Sequence, residues 1–179
     1  MGVNFLRMRS VKLFVIAVGV LLAFLFVITL FLPSKVTVSK SIAINAGENK
    51  VTALILDFNN WKNWYPAFQD KYVSDNISPK NKNLFQIYSV TKEETLSITL
   101  LANKKDTITF SVVQGGINNQ TYQFVIVPNG EAKTLLTWNI NVNLGPYPWK
   151  KFVGIFLDKI SGPSYDEALQ KLKTAAEFK

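Results

Sequence analysis

The stretch from Leu13 to Leu32, LFVIAVGVLLAFLFVITLFL, carries no charged side chain, and only Gly19 and Thr29 soften its apolar character. As an α-helix rising about 1.5 Å per residue it reaches across the roughly 30 Å hydrocarbon core of a bilayer. A helix that is apolar on every side has no place on the surface of a water-soluble fold. The run therefore divides the chain into a basic N-terminus (1–12), a transmembrane helix (13–32) and one domain (33–179). A cleaved signal peptide is the competing identity, but its apolar region spans about 7 to 15 residues and closes on a small-x-small site. Here the run ends in Phe31, Leu32 and Pro33. Arg7, Arg9 and Lys12 precede it, and Lys35 and Lys40 are the nearest positive charges beyond it. The positive-inside bias then predicts a single-pass protein of the plasma (inner) membrane. Its N-terminus is cytoplasmic and its domain lies outside, in a periplasmic or extracellular space.

The formal charge of +8 suggests nucleic acid until it is apportioned. Beyond Lys12 there remain 17 lysines against 12 acidic residues, and no arginine. Phosphate-reading surfaces recruit the bidentate arginine fork, so nucleic acid is not an expected partner. Cysteine and histidine are both absent. That removes disulfides, thiolate metal sites, a cysteine nucleophile, the usual zinc ligand and the commonest general base. No metal site, no cofactor signature and no catalytic constellation is present: Glu93-Glu94 and Asp166-Glu167 read as a turn and a helix N-terminus.

Past Pro33 the hydrophobic period becomes two. Val36, Val38, Ile42 and Ile44 share one face of a first strand, with Lys40 the exception among them. Lys40 can snorkel to an edge, pair with a carboxylate or serve as a polar residue of a ligand pocket. Val51, Leu54, Ile55 and Phe58 then follow a helical period, and Asn59-Asn60 breaks it before a short second helix carrying Trp61 and Trp64. After a weakly patterned connector, 71–83, alternation returns in segments marked by Leu84 to Val90, Leu96 to Leu100, Ile108 to Val112, Tyr122 to Ile126 and Leu136 to Val142. The connections TKEE, ANKK, QGGINN and PNGE are short enough to demand antiparallel neighbours. Asn139, Asn141 and Asn143 fall on the outer, solvated face of the last strand. A final helix follows, interrupted at Gly162-Pro163 and showing capping-box spacing from Ser164 to Glu167. The order predicts an α+β fold in which the long C-terminal helix covers one apolar face of a twisted sheet.

Two strings carry a resemblance. VTVSKSIAINAGENKVTALILDFNNWKNWYP and SGPSYDEALQKLKTAAE are similar to the opening and the terminal helix of the SRPBCC superfamily, which includes START, Bet v 1-like and polyketide cyclase-like proteins. The likeness runs from about Val36 to Glu177, and the chain looks most like bacterial members with one N-terminal membrane helix. It implies a helix-grip fold, a curved antiparallel sheet wrapped around the C-terminal helix, with an apolar cavity between them. It also implies cavity or rim positions: Trp64, Tyr65 and Phe68 at the rim, Phe110 and Trp138 on inward strand faces, and Phe152 or Phe156 on the covering helix.

Trp149 lies in NLGPYPWKKF, which reads as a connector, a lid over the cavity, or a patch resting on lipid with Lys150 and Lys151. Each of these aromatics could equally fill a core, burying roughly 150 to 250 Å². Three functions stay open: a membrane-anchored binder of a hydrophobic small molecule or lipid, a cyclase/aromatase-like enzyme, and a non-enzymatic interaction module with a filled core.

Overall fold

The period-two segments form one antiparallel sheet of seven strands in a computed structural model that describes residues 3–65, 77–81, 84–88, 95–114 and 118–178. Helix α1 (Val3–Phe31) leads through three residues into β1 (Lys35–Ile44), and α2 (Glu48–Leu56) and α3 (Phe58–Trp64) follow. The strands β2 (Ile77–Asn81), β3 (Leu84–Tyr88), β4 (Thr95–Lys104), β5 (Thr107–Gln114), β6 (Asn118–Pro128) and β7 (Thr134–Asn143) come next. The chain closes with α4 (Pro148–Ile155) and α5 (Leu157–Glu177). The spatial order β1-β7-β6-β5-β4-β3-β2 is a meander whose last strand returns to pair with the first. Helix α5 lies along β1 and meets α2 and α3, so the sheet grips it as expected of a helix-grip α+β fold.

The register places every even-numbered residue of β1, β6 and β7 on the inner face. Val38 stands opposite Ile140, Phe124 opposite Trp138, and Tyr122 opposite Ile140 on the other side. The odd-numbered outer face of β1 and β7 is a polar ladder. Thr37 donates to Asn141 at 2.7 Å, Ser39 to Asn139 at 2.7 Å, and Ser41 meets Thr137 at 2.9 Å. Of the asparagines expected on a solvated face, Asn139 and Asn141 thus link β7 to β1, while Asn143 accepts from the Gly145 backbone.

Several boundaries differ from the sequence reading. The first helix stops at Asp57, two residues before Asn59-Asn60, because the Asp57 carboxylate caps α3: it accepts from the Asn59 backbone at 3.0 Å and from both asparagine side chains. The connector 71–83 contains β2, an edge strand, a place in a sheet where a proline such as Pro79 is tolerated. The β4–β5 turn falls at Lys105-Asp106, later than ANKK implied, because the register shifts between Leu100 and Ala102 and leaves Leu101 outside as a bulge. The connection TKEE and Phe68 lie outside the described residues.

The terminal helix divides at Phe156, not at Gly162-Pro163. Pro163 sits inside α5, and Ser164–Glu167 is helix interior, so the capping box is not used. The helix survives its proline for two reasons. Gly162 has no Cβ to collide with the pyrrolidine ring, and the exposed Lys159 lets water reach the carbonyl that loses its donor. Lys40 adds a clamp across the same point, reaching Asp158 at 3.2 Å before the proline and Asp166 at 3.1 Å after it.

Candidate functional site

Helix α3 delivers its aromatic side chains to the inner face of the sheet, and the result is one continuous cluster of rings. Trp61 donates its indole N–H to the Ile55 carbonyl at 2.8 Å, an acceptor that the ending of α2 leaves available. This bond and the Asp57 cap fix the angle between α2 and α3. Trp61, Trp64 and Trp138 are each 0 % exposed. Trp64 meets Phe124 and Trp138 edge-on with centroids 6.1 and 6.0 Å away, Phe124 stacks on Trp138 at 5.1 Å, and Trp61 meets Phe110 edge-on at 5.2 Å. From α5, Tyr165 lies edge-on against Trp138 at 5.1 Å. Edge-to-face contacts of this kind add about 0.5–1.5 kcal/mol each beyond area burial.

Besides the indole N–H groups, the polar groups of this apolar interior include a pair of phenols. The hydroxyls of Tyr65 and Tyr122 are 3.0 Å apart, and Tyr122 donates to Gln120 Oε1 at 3.1 Å. A phenol has one proton, so with Tyr122 donating onward, Tyr65 is the donor to Tyr122. Burial is the main cause that pushes the Tyr65, Tyr122 and Tyr165 phenols above the usual tyrosine range, and Tyr165 is close enough to Tyr122 for each to influence the other. All three stay protonated near neutral pH and act there as hydrogen-bond donors rather than bases. Beside them the Trp138 indole N–H is fully buried and has no hydrogen-bond partner among the described residues. A buried donor left so costs about 1–3 kcal/mol.

The structure brings Trp64, Tyr65, Phe110 and Trp138 together. It sets Trp64 and Tyr65 in the buried interior and not at an open rim. Trp149 and Phe156 are more than half exposed on α4 and its end, and Phe152 is half-buried there, so these three do not join the cluster. Lys40 stands on the inner face of β1 opposite Trp138, but its ammonium turns to the Asp158 and Asp166 carboxylates of α5. The hydrogen bonds it donates to Asp166 and then Asp158 raise its pKa, and partial desolvation opposes them. Lys40 is therefore a charged pin between β1 and α5. Sequence reasoning passed over Tyr122, Phe124 and Tyr165 as site residues. Their signal was present: period two puts Tyr122 and Phe124 on the face of Ile126, and the register sets Phe124 against Trp138.

The profile of the polyketide cyclase/dehydrase and lipid transport family matches residues 35–177. A START superfamily protein from Mycobacterium smegmatis shares 20% identity with a TM-score of 0.56, the match covering 79% of this chain and 97% of that one. Truncated norcoclaurine synthase from Thalictrum flavum shares 10% identity with a TM-score of 0.58, over 81% of this chain and 96% of that one. The Zhui aromatase/cyclase from a Streptomyces species shares 10% identity with a TM-score of 0.58, over 80% and 94%. At these identities the solved structures establish the fold alone. No curated protein matches the chain.

Proposed function

Since the chain belongs to the polyketide cyclase/dehydrase and lipid transport family, we propose that its domain binds a hydrophobic small molecule or lipid between the sheet, α3 and α5. The observation that carries this reading is the chemistry of the interior. It is a wall of aromatic rings that includes three neighbouring protonated phenols and a Trp138 N–H with no hydrogen-bond partner among the described residues. Apolar walls with a few convergent polar groups are what a small-molecule site requires. Removing the ligand's apolar surface from water supplies about 25 cal/mol per Å², and an acceptor group on the ligand would take the Trp138 proton. In this reading α1 is retained as a single membrane anchor with the N-terminus cytoplasmic. Its segment Val11–Phe31, 21 residues, is long and apolar enough to cross a bilayer. The anchor keeps the binding interior beside a lipid reservoir.

Mass spectrometry of lipids extracted from the full chain, purified in detergent, tests the proposal. A bound species recovered at close to one per chain, and diminished by Trp138→Phe, is the expected result. Its absence from both proteins sinks the reading.

A second reading, a filled-core interaction module, is favoured by the ring contacts themselves: Trp61, Trp64 and Trp138 touch their neighbours on several sides with no exposed surface. It predicts an empty extract and unchanged stability on adding hydrophobic ligands. A cyclase-like activity needs a base, and the phenols described in the interior are held in their protonated form.

A further inference from the structure

Helix α4 is amphipathic in the opposite sense from a helix packed into a core. Its inner side is Gly154, so close to Leu144 and Val36 that a β-carbon there would collide with the Leu144 side chain. Its outer side presents Trp149 and Val153, continued by Phe156 and Ile160 at the start of α5, all more than half exposed. Trp149 and Val153 share one face of α4 at i, i+4, and Phe156 and Ile160 follow at the same spacing across the break between α4 and α5. Tyr147 extends the stripe, its ring stacked on Trp149 at 5.1 Å with the Lys150 ammonium 5.3 Å from it.

The place of this stripe says what covers it. Lys151 donates to the Thr29 carbonyl at 3.0 Å, in the last turn of α1, where the Leu32 N–H also donates at 3.3 Å. Thr29 is buried there and turns its own hydroxyl back to the Phe26 carbonyl at 2.6 Å. Only Leu32, Pro33 and Ser34 separate α1 from β1, a reach of about 10 Å when extended. The Leu144 N–H donates to the Ser34 carbonyl at 2.8 Å and ties that short link to the end of β7. Helix α4 is thus fastened to the final turn of the apolar helix, which for a bilayer-spanning α1 is the level where hydrocarbon gives way to headgroups.

We infer that the stripe Tyr147–Trp149–Val153–Phe156–Ile160 is seated in the interfacial layer of a phospholipid bilayer and sets the domain's orientation on it. The inference rests on the reading of α1 as a retained anchor. Trp and Tyr concentrate at this depth, where an apolar ring and a polar edge are both accommodated. An amphipathic helix with lysines on its flank lies in the same plane. Lys150 adds attraction to anionic headgroups. A second copy of the chain would satisfy the apolar stripe but offers no reason for its attachment to the end of α1.

Tryptophan fluorescence isolates the stripe, because Trp149 is 64 % exposed while the chain's three other tryptophans are 0 % exposed. The full chain is placed at one copy per nanodisc, with phosphatidylcholine and phosphatidylglycerol brominated near the headgroup end of the acyl chains. The expected result is quenching relative to unbrominated discs that disappears in Trp149→Phe and is weakened in Val153→Glu/Ile160→Glu. Alkaline carbonate extraction of membranes reports the anchor separately. A chain released by carbonate overturns the anchor and the docking together. A chain retained by carbonate whose quenching is absent, or is the same in Trp149→Phe, overturns the docking alone.

Discussion

Replacing Tyr65 by phenylalanine removes one hydroxyl from the buried series Tyr65, Tyr122, Gln120 and leaves the Tyr122 bond to Gln120 in place. Near neutral pH the loss is one neutral hydrogen bond, about 1 kcal/mol. At alkaline pH the comparison reverses. Burial raises the Tyr65 pKa well above its ordinary value, so the folded chain keeps a proton that the unfolded chain gives up above about pH 10. Below that pH both states hold the proton and stability is insensitive to it. Above it the unfolded state binds fewer protons, and the fold loses about 1.4 kcal/mol per pH unit for this phenol until the folded pKa is reached. Tyr65→Phe escapes that loss. Its stability curve starts about 1 kcal/mol below the unsubstituted chain and crosses it near pH ~10.7. Urea titrations of the full chain in detergent, followed by tryptophan fluorescence between about pH 7 and about pH 11, locate the crossing. Tyr122→Phe removes the central hydroxyl and both bonds at once, costing about 2 kcal/mol near neutral pH. Curves for Tyr65→Phe that run parallel to the unsubstituted chain through pH ~11 refute the reasoning, as does phenolate absorbance from all six tyrosines in the folded chain.

Asp57→Ala removes the cap of α3 and three acceptor contacts; chemical denaturation should show a loss of about 1 kcal/mol, and no loss would mean that ring packing alone starts the helix. Lys40→Met leaves Asp158 and Asp166 without the cation between them; the thermal midpoint falls at low salt and recovers at high salt, and a salt-independent change would point to packing instead. Pro163→Ala restores a donor to α5 and should stabilise the fold by up to about 3 kcal/mol in the same titrations; a loss of stability would show that the sheet requires the bend.

The long alternations were legible because each strand has one wet and one dry face, so Val38, Phe124 and Trp138 announce their side by parity alone. Helix α3 was legible in its tryptophans, but its start was not, since Asp57 ends one helix and caps the next with the same carboxylate. β2 was illegible because an edge strand needs no apolar pattern and tolerates Pro79. Within the site, the aromatic faces followed from period, whereas the meeting of Tyr65, Tyr122 and Tyr165 depends on the angle at which α3 and α5 cross the sheet. Lys40 was readable as an anomaly, and carboxylate pairing was among its expected resolutions. Which carboxylates it meets follows from α5 passing over β1 with Asp158 and Asp166 flanking Gly162.

The pairing of β1 with β7 bears on how the chain assembles. Their side-chain ladder joins residues 96 to 104 positions apart, and among the described residues β1 has no other strand beside it in the sheet. In order of synthesis β1 is the first strand to emerge and its partner the last, so the loop that must close runs from Asn45 to Lys133, more than half of the domain. Local hairpins from β4 to β7 can form earlier at small entropic cost. Until β7 arrives, β1 is an open edge held next to the end of α1, and its alternating Thr37, Ser39, Lys40 and Ser41 make that edge a poor template for mispairing. Folding of this domain therefore waits on the C-terminal part of the chain: a product truncated before Thr134 leaves β1 unpaired and lacks α5 altogether.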